Sequence, residues 1–547
     1  MTRMHKHCFL TIALCAWPLL NPASVWAADR PNFLLVVTDD MGWTDLGCFG
    51  SEIETPNLDA LAKRGVRFSN FYVSVSCSPT RSMLLTGTDN HIAGLGNMSE
   101  LLTPNQRGKP GYEGHLNDRV VSLAEVLRGG GYHAYMAGKW HLGHEPESYP
   151  RARGFERSFA LLYGGASHWD DMAGLIERQT PAYYTLNGKK LDKLPADFFS
   201  SRSYADFLMD AIRENRRDGK PFLAYLAFTG PHDPLHVPEP WLSKYRGRYT
   251  EGYEVLKERR ARAAKRLGLV TQSAKLPARH PMVKDWSTLS EAEKALESRA
   301  MEVYAGMVNN VDYHFGRVLN FLKDIGEYNN TVIIFFSDNG ANPWYSEDYP
   351  GNRGSKWFAQ FDNSLENLGR PGSAYAYGPG WASACAGPLD RFKMTVAEGG
   401  MRSALLIAGP GVKGGRQIDA FSYVTDITPT VYEMAGLEHP REFRGRVVER
   451  VRGRSIVGVL SGAKKETYEA DAFIGGEMGN GMWMRQGDYK AVSVAKPYGS
   501  ETWHLYNVAE DPGETRDLAR KQPEMLKKLQ AAWDQYANDV GVILGKK

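Results

Sequence analysis

Short, almost purely apolar runs recur along this chain, and each stops at a polar cluster. Asn32-Phe33-Leu34-Leu35-Val36-Val37 ends in Thr38-Asp39-Asp40, and Tyr132 to Ala137 ends in Gly138-Lys139-Trp140-His141. Pro221 to Phe228 ends in Thr229-Gly230-Pro231-His232, Thr331 to Phe336 in Ser337-Asp338-Asn339-Gly340, and Ser403 to Ala408 in Gly409-Pro410-Gly411. Runs this short and this continuous are strands buried on both faces, which requires helices above and below the sheet. Helical stretches do alternate with them: Thr55 to Arg64, Ser122 to Arg128 and Ser203 to Arg213. The expected fold is therefore α/β, a large mixed, mainly parallel sheet flanked by helices. Ligands of such sheets bind beyond the carboxyl ends of the strands, and four of these ends carry groups fit for metal or anion chemistry.

A longer pattern, Glu291 to Ile325, places Val303, Met307, Val311, Phe315, Val318 and Leu322 at three- and four-residue steps, a core helix. Residues 250–290 before it are rich in Lys, Arg and Glu and read as a solvated excursion. Residues 341–392, rich in Gly, Tyr, Trp and Asn, form a long loop insertion of the kind that selects substrates. From about Asp471 the pattern changes to four short runs, Phe473–Met478, Met482–Gln486, Tyr489–Val494 and Thr502–Tyr506, then an amphipathic stretch from Pro523 to about Val540. This predicts a small C-terminal α+β domain with a four-stranded antiparallel sheet and a helix. The expected division is 1–27, 28–465 and 466–547.

The first 27 residues have the form of a secretory signal: Arg3 and Lys6, an apolar stretch of 13 residues from Cys8 to Leu20, and Val25-Trp26-Ala27 before the cut. That stretch is short of the roughly 20 residues a membrane span needs. The expectation is a periplasmic or secreted protein without a membrane span. Its formal charge of +3 falls to +1 without Arg3 and Lys6, which gives no basis for nucleic-acid binding. Export also removes Cys8 and Cys15 and leaves Cys48, Cys77 and Cys385, an odd number in an oxidising compartment. Chemical conversion of Cys77 would leave Cys48 and Cys385 either paired or as two ordinary thiols.

Cys77-Ser78-Pro79-Thr80-Arg81 opens a further helix. Pro79 suits the first helical position, Gly87 its end, and residue 77 then falls just outside a helix N-terminus, where free N–H groups favour an anion. Asp39-Asp40 or Asp338-Asn339 alone would read as a turn; together they offer hard oxygen ligands suited to Ca²⁺ or Mg²⁺.

The C-x-P-x-R pentapeptide resembles the signature of type I sulfatases, in which the Cys is oxidised to formylglycine. The wider chain is similar to bacterial arylsulfatases of that family, within the alkaline phosphatase superfamily. The similarity runs from about Pro31 to the C-terminal helix, through Thr55-Pro56-Asn57-Leu58-Asp59, Cys77 to Gly87, Gly138 to Gly143, Gly230-Pro231-His232, Ser337 to Gly340, Glu398 to Arg402, Leu505-Tyr506-Asn507 and Asp511 to Glu514.

The resemblance implies hydrolysis of sulfate monoesters by a sulfuric ester hydrolase. It implies one divalent cation, Ca²⁺ ahead of Mg²⁺, held by Asp39, Asp40, Asp338, Asn339 and the converted residue 77. Arg81, Lys139 and His141 match residues that hold and activate the aldehyde hydrate; His232 and Lys393 match those on the leaving-group side. One hydroxyl of the hydrate attacks sulfur, His232 with Lys393 protonates the departing alkoxide, and His141 takes the proton of the second hydroxyl as sulfate leaves. It implies as partners a small-molecule or saccharide sulfate ester and a formylglycine-generating enzyme acting on the unfolded chain. Thr80 stands where many members have Ser, and Asp233 where an aromatic is common. His91, His144, His168 and His236 receive no role, and His236 fits the surface as well as a substrate contact. The competing readings are a phosphate or phosphonate ester hydrolase of the same superfamily and a catalytically silent binding protein for sulfated ligands.

Overall fold

The computed structural model describes residues 30–546. The expected signal, residues 1–27, lies outside the described residues.

The main sheet contains β1 (Asn32–Thr38), β2 (Val66–Tyr72), β3 (His133–Lys139), β4 (Arg157–Leu161), β5 (Tyr184–Leu186), β6 (Lys189–Lys190), β7 (Phe222–Ala227), β8 (Thr331–Ser337), β9 (Arg402–Ala408), β10 (Arg416–Ile418) and β11 (Ser422–Tyr423). Their order is β10-β2-β9-β8-β1-β7-β3-β4-β5-β6, with β11 also beside β2. The strands β8-β1-β7-β3-β4 are mutually parallel, with Val36 in register with Leu226 on one side and Phe335 on the other. β1, β7 and β8 are buried along their whole length, as their unbroken apolar sequences require.

β9 runs antiparallel to β8 and β2, so it is the beginning of this strand, at Arg402, that lies level with the carboxyl end of β8. Ser337 N–H accordingly donates to Ser403 Oγ at 3.0 Å. A mainly parallel sheet thus gathers Asp39, Lys139, His232 and Asp338 along one edge.

The long helix spans Glu291–Asp324 and opens with a capping box between Ser290 and Glu293. Its six periodic apolar residues are all buried. The stretch 250–290 is less solvated than its charge predicts. It contains a helix, Tyr253–Arg266, that buries Arg260 completely, with Nη1 2.5 Å from Asp45 Oδ1 and Nη2 2.9 Å from Glu52 Oε1. Charge there is spent partly on internal pairing. Cys48 and Cys385 are unpaired thiols, the first half-buried beside Asp59 and the second buried in the helix Gly378–Ala386.

After a short hairpin, β12 (Glu442–Phe443) and β13 (Arg446–Val447), a separate antiparallel sheet follows: β14 (Phe473–Met478), β15 (Gly481–Gln486), β16 (Tyr489–Ser493) and β17 (Trp503–Asn507). The helix Pro523–Val540 packs Leu529 and Trp533 onto Met484, Ala491 and Leu505. Two buried polar clusters fasten this sheet to the large one. His91 lies between Asp89 (Nδ1 to Oδ1, 2.9 Å) and Glu477 of β14 (Nε2 to Oε2, 3.0 Å). Glu398 receives Lys490 of β16 (2.7 Å), Arg402 (2.9 Å) and the Tyr72 hydroxyl (2.7 and 2.6 Å).

Candidate active site

The helix carrying the pentapeptide spans Cys77–Thr86 and all ten of its residues are buried. It begins two residues earlier than Pro79 predicts: Ser76 is the N-cap, Cys77 is the first helical residue and Pro79 the third. Pro is tolerated there because the first helical N–H groups have no partner in the helix. The first bond of the helix is from Thr80 N–H to Ser76 carbonyl, 3.3 Å. Gly87 ends it with φ of 66°, as expected. Residue 77 therefore sits inside the first turn, still among free N–H groups.

Cys77 Sγ lies 3.5 Å from Asp39 Oδ1, 4.0 Å from Asp40 Oδ1 and 3.3 Å from Lys393 Nζ. Asp40 adopts a φ of 65°, which turns the chain at the end of β1. Lys393 Nζ donates to Asp40 Oδ1 at 2.6 Å, and Lys139 Nζ to Asp39 Oδ2 at 2.7 Å. Arg81 reaches Asp338 Oδ2 through Nε (2.9 Å) and Nη2 (2.7 Å), and gives Nη1 to the Lys139 carbonyl at 2.9 Å. Tyr225 of β7 adds its hydroxyl 3.4 Å from the same nitrogen. Arg81 thus braces the site from behind, joining the helix to the ends of β8 and β3.

His232 donates from Nδ1 to the Asp233 carbonyl at 2.6 Å, which leaves Nε2 3.3 Å from Asp40 Oδ2. The Asp233 side chain, where the resemblance implies an aromatic residue, is buried and accepts from Asn342 (2.7 Å) and Tyr349 (3.1 Å). His141, with φ of 55°, faces Glu100, whose two oxygens each lie 3.3 Å from Nε2. His236 is buried, not at the surface: its Nε2 donates to the Ser373 carbonyl, 2.8 Å.

Burial opposes the charge on Asp39, but Lys139, His232, Arg81 and Lys393 outweigh it and lower its carboxyl below the usual range. Burial and the charge of Asp39 push Asp338 up to about 6, against Arg81. The Cys77 thiol is pushed well up by burial despite the two lysines.

Asp39, Asp40, Cys77 and Asp338 each bring one ligand atom within 4.8 Å of the others. Asn339 Oδ1 and Asp40 Oδ2 are buried without a hydrogen bond among the described residues. Carboxylates with an unpartnered amide oxygen are the donor set of a hard divalent cation, so the residues fit one.

A cavity opens over Cys77, His141, His232 and Lys393. Its outer walls are largely apolar, with Met98, Leu101, Leu175, Ile176, Trp344 and Pro350; Trp344 and Pro350 come from the 341–392 insertion. Sequence reasoning missed Glu100, Gly164 and Gly165. A Cβ at Gly164 would stand 2.8 Å from His141 Cε1, and one at Gly165 3.3 Å from His232 Cε1. The Gly-Gly pair gives both histidines their room; it was visible in the sequence, but its neighbours were not.

The sulfatase family profile matches residues 31–437. The chain belongs to the sulfatase family. It is 44% identical over 525 residues to an uncharacterized sulfatase of Schizosaccharomyces pombe, covering 94% of each chain. It is 40% identical over 451 residues to the arylsulfatase of Klebsiella aerogenes, covering 81% of this chain and 94% of that one. The solved structure of Ps i-CgsB superposes with a TM-score of 0.65 at 22% identity over 93% of each chain. That of BT4656, in complex with its substrate D-glucosamine-2-N,6-O-disulfate, does so with 0.59 at 21% identity over 94% and 98%. At that identity the two structures show the shared fold. This sulfatase is a sulfuric ester hydrolase. No helix among its described residues is long and apolar enough to cross a membrane.

Proposed function

We propose that this sulfatase hydrolyses sulfate monoesters with apolar, aryl-type leaving groups, using one divalent cation and an aldehyde hydrate derived from Cys77. The observation that carries the reading is the position of Cys77, between the Asp39–Asp40 carboxylates and Lys393 at the floor of the cavity.

Asp39, Asp40, Asp338 and Asn339 would hold the cation, Ca²⁺ or Mg²⁺, because every donor is a hard oxygen. The bound cation supplies Lewis-acid polarisation of sulfate oxygen, and the hydrate of residue 77 supplies an oxygen nucleophile with a second hydroxyl for the exit. Three buried carboxylates and the cations Arg81, Lys139 and Lys393 balance, so a bound divalent ion leaves the site positive for an anionic ester. Lys139 and Lys393 sit on the inner carboxylates, where they neutralise charge on the non-bridging oxygens. His232, fixed by its Nδ1–H bond to Asp233, presents Nε2 to the leaving oxygen as general acid. His141 then accepts the proton whose loss accompanies release of sulfate.

The apolar part of the walls favours an aryl or alkyl group, while Arg178, Gln179 and Tyr349 are the lining groups a sugar's hydroxyls would have to use. Equal kcat/KM on 4-nitrophenyl sulfate and on a monosaccharide sulfate would overturn that preference. The chemistry is tested by peptide mass spectrometry across residue 77, measured alongside turnover of 4-nitrophenyl sulfate. Aldehyde or its hydrate in active enzyme is expected; a free thiol in fully active enzyme sinks the proposal, and so does turnover by Cys77→Ala. Conversion calls for a formylglycine-generating partner. Export is proposed on the Arg3–Ala27 pattern, and processing after Ala27 in a periplasmic fraction is its test.

A further inference from the structure

Glu100 stands in a single turn, Ser99–Leu101, at the wall of the cavity. Both of its carboxylate oxygens lie 3.3 Å from His141 Nε2, and its side chain keeps only a quarter of its surface exposed. On the other side of the ring, His141 Nδ1 is buried with no hydrogen-bond partner among the described residues. Gly164 closes over the ring edge, since a Cβ there would meet Cε1 at 2.8 Å and Nε2 at 3.1 Å. The ring therefore has one carboxylate contact and one free lone-pair position.

A neutral imidazole carries one N–H, and the stronger acceptor decides which nitrogen holds it. With Glu100 at Nε2, the proton belongs there and Nδ1 becomes the base. We infer that Glu100 is a positioning residue for sulfate release, holding His141 as the Nε2–H tautomer so that Nδ1 takes up the proton. The inference rests on the role proposed above for His141. One proton passes from the enzyme-held hydroxyl to Nδ1; the resulting imidazolium keeps its other N–H on Glu100 and returns the proton to water once sulfate has left. Burial, with Lys139 and Arg81, keeps the ring below the usual histidine range and so neutral before that transfer, while Glu100 acts in the opposite direction. Glu100 thus stabilises the charged ring when it forms, the part an aspartate plays behind a catalytic histidine.

Two measurements test this. In the unconverted, thiol-bearing protein labelled with ¹⁵N-histidine, the signal lost in His141→Asn should be that of an Nε2–H tautomer. Glu100→Ala should shift it toward a mixture, and Glu100→Gln, which keeps an acceptor, should not. In mature enzyme mixed rapidly with 4-nitrophenyl sulfate, Glu100→Ala should leave the first-turnover burst of nitrophenol intact and slow the following steady state at least tenfold. Glu100→Gln should recover much of that rate, and Glu100→Ala combined with His141→Ala should be no slower than His141→Ala alone. An unchanged tautomer in Glu100→Ala, or a burst slowed as much as the steady state, overturns the inference. If His141→Ala itself shows no burst, the role given to His141 fails, and the tautomer measurement still judges Glu100.

Discussion

Arg81 grips a single oxygen of Asp338, with Nε at 2.9 Å and Nη2 at 2.7 Å, and neither side chain is exposed. The contact ties the helix of residue 77 to the end of β8. Removing the guanidinium would strip a buried carboxylate of its paired cation, a loss of about 3–5 kcal/mol in the metal-free protein. Arg81→Ala is therefore expected to lower the urea midpoint strongly, and Arg81→Lys, which cannot keep both contacts, to fall between. An unchanged midpoint in Arg81→Ala would show that Asp338 is neutralised by something else.

Chelation should act on stability as well as on turnover. A cation held only by the folded site stabilises by about 2.7 kcal/mol at a hundred times its Kd. EGTA is expected to abolish 4-nitrophenyl sulfate hydrolysis and lower Tm by several degrees, with Ca²⁺ restoring both. A Tm indifferent to both additions would speak against a cation on Asp39, Asp40 and Asp338.

His91 makes the fastening of the C-terminal sheet depend on pH. Burial opposes its charge, but Asp89 and Glu477 raise it to about 9. Tyr112 packs on the ring and Tyr536 donates to Asp89, so the charged groups facing it are those two carboxylates. The folded value lies above the ordinary 6.5, so the contribution is complete below about pH 6.5 and disappears as pH rises through 9. Its size is on the order of 3 kcal/mol. His91→Gln should cost much of this at pH 6 and little at pH 10; equal losses at both would contradict the ionised pair.

Gly164→Ala should push the His141 ring aside, because a Cβ cannot stand 2.8 Å from Cε1. A displacement near 1 Å costs about a hundredfold in rate. We expect a fall in kcat for sulfate esters with little change in Tm. Gly129→Ala, where a Cβ meets nothing within 4 Å, serves as the control. Full activity in Gly164→Ala would mean that His141 needs no fixed place.

The central strands were legible because burial on both faces leaves no room for polar residues, so sequence and environment coincide at Asn32–Val37 or Thr331–Phe336. Their chemistry was legible for the same reason, since polar residues at such strand ends stand out. The orientation of β9 was not, because an apolar run carries no direction. The start of the helix at Cys77 was obscured by Pro79, which is favoured at the first helical position but also tolerated at the third, where the N–H has no helical partner either. Glu100 was hidden because only the closed fold sets it against His141. The solvated reading of 250–290 failed at Arg260, and the surface alternative for His236 failed, for one shared reason: charge and polarity predict solvent only until a partner such as Asp45 or the Ser373 carbonyl takes its place.

Glu398 and Lys490 carry a consequence for how this enzyme can be cut. The family profile ends at residue 437, yet one of the two cations paired with Glu398, a buried group beside the start of β9, comes from β16, the other being Arg402. The loop at Gly340, next to the Asp338–Asn339 pair, leans on the same short helix, with its N–H on the Gly400 carbonyl at 3.1 Å. A fragment trimmed to the matched region would keep every proposed catalytic side chain and lose one of the two cations that compensate the buried Glu398 beneath them. The small sheet thus helps to hold the catalytic floor from a distance, and a fragment that ends before Lys490 is expected to lose turnover.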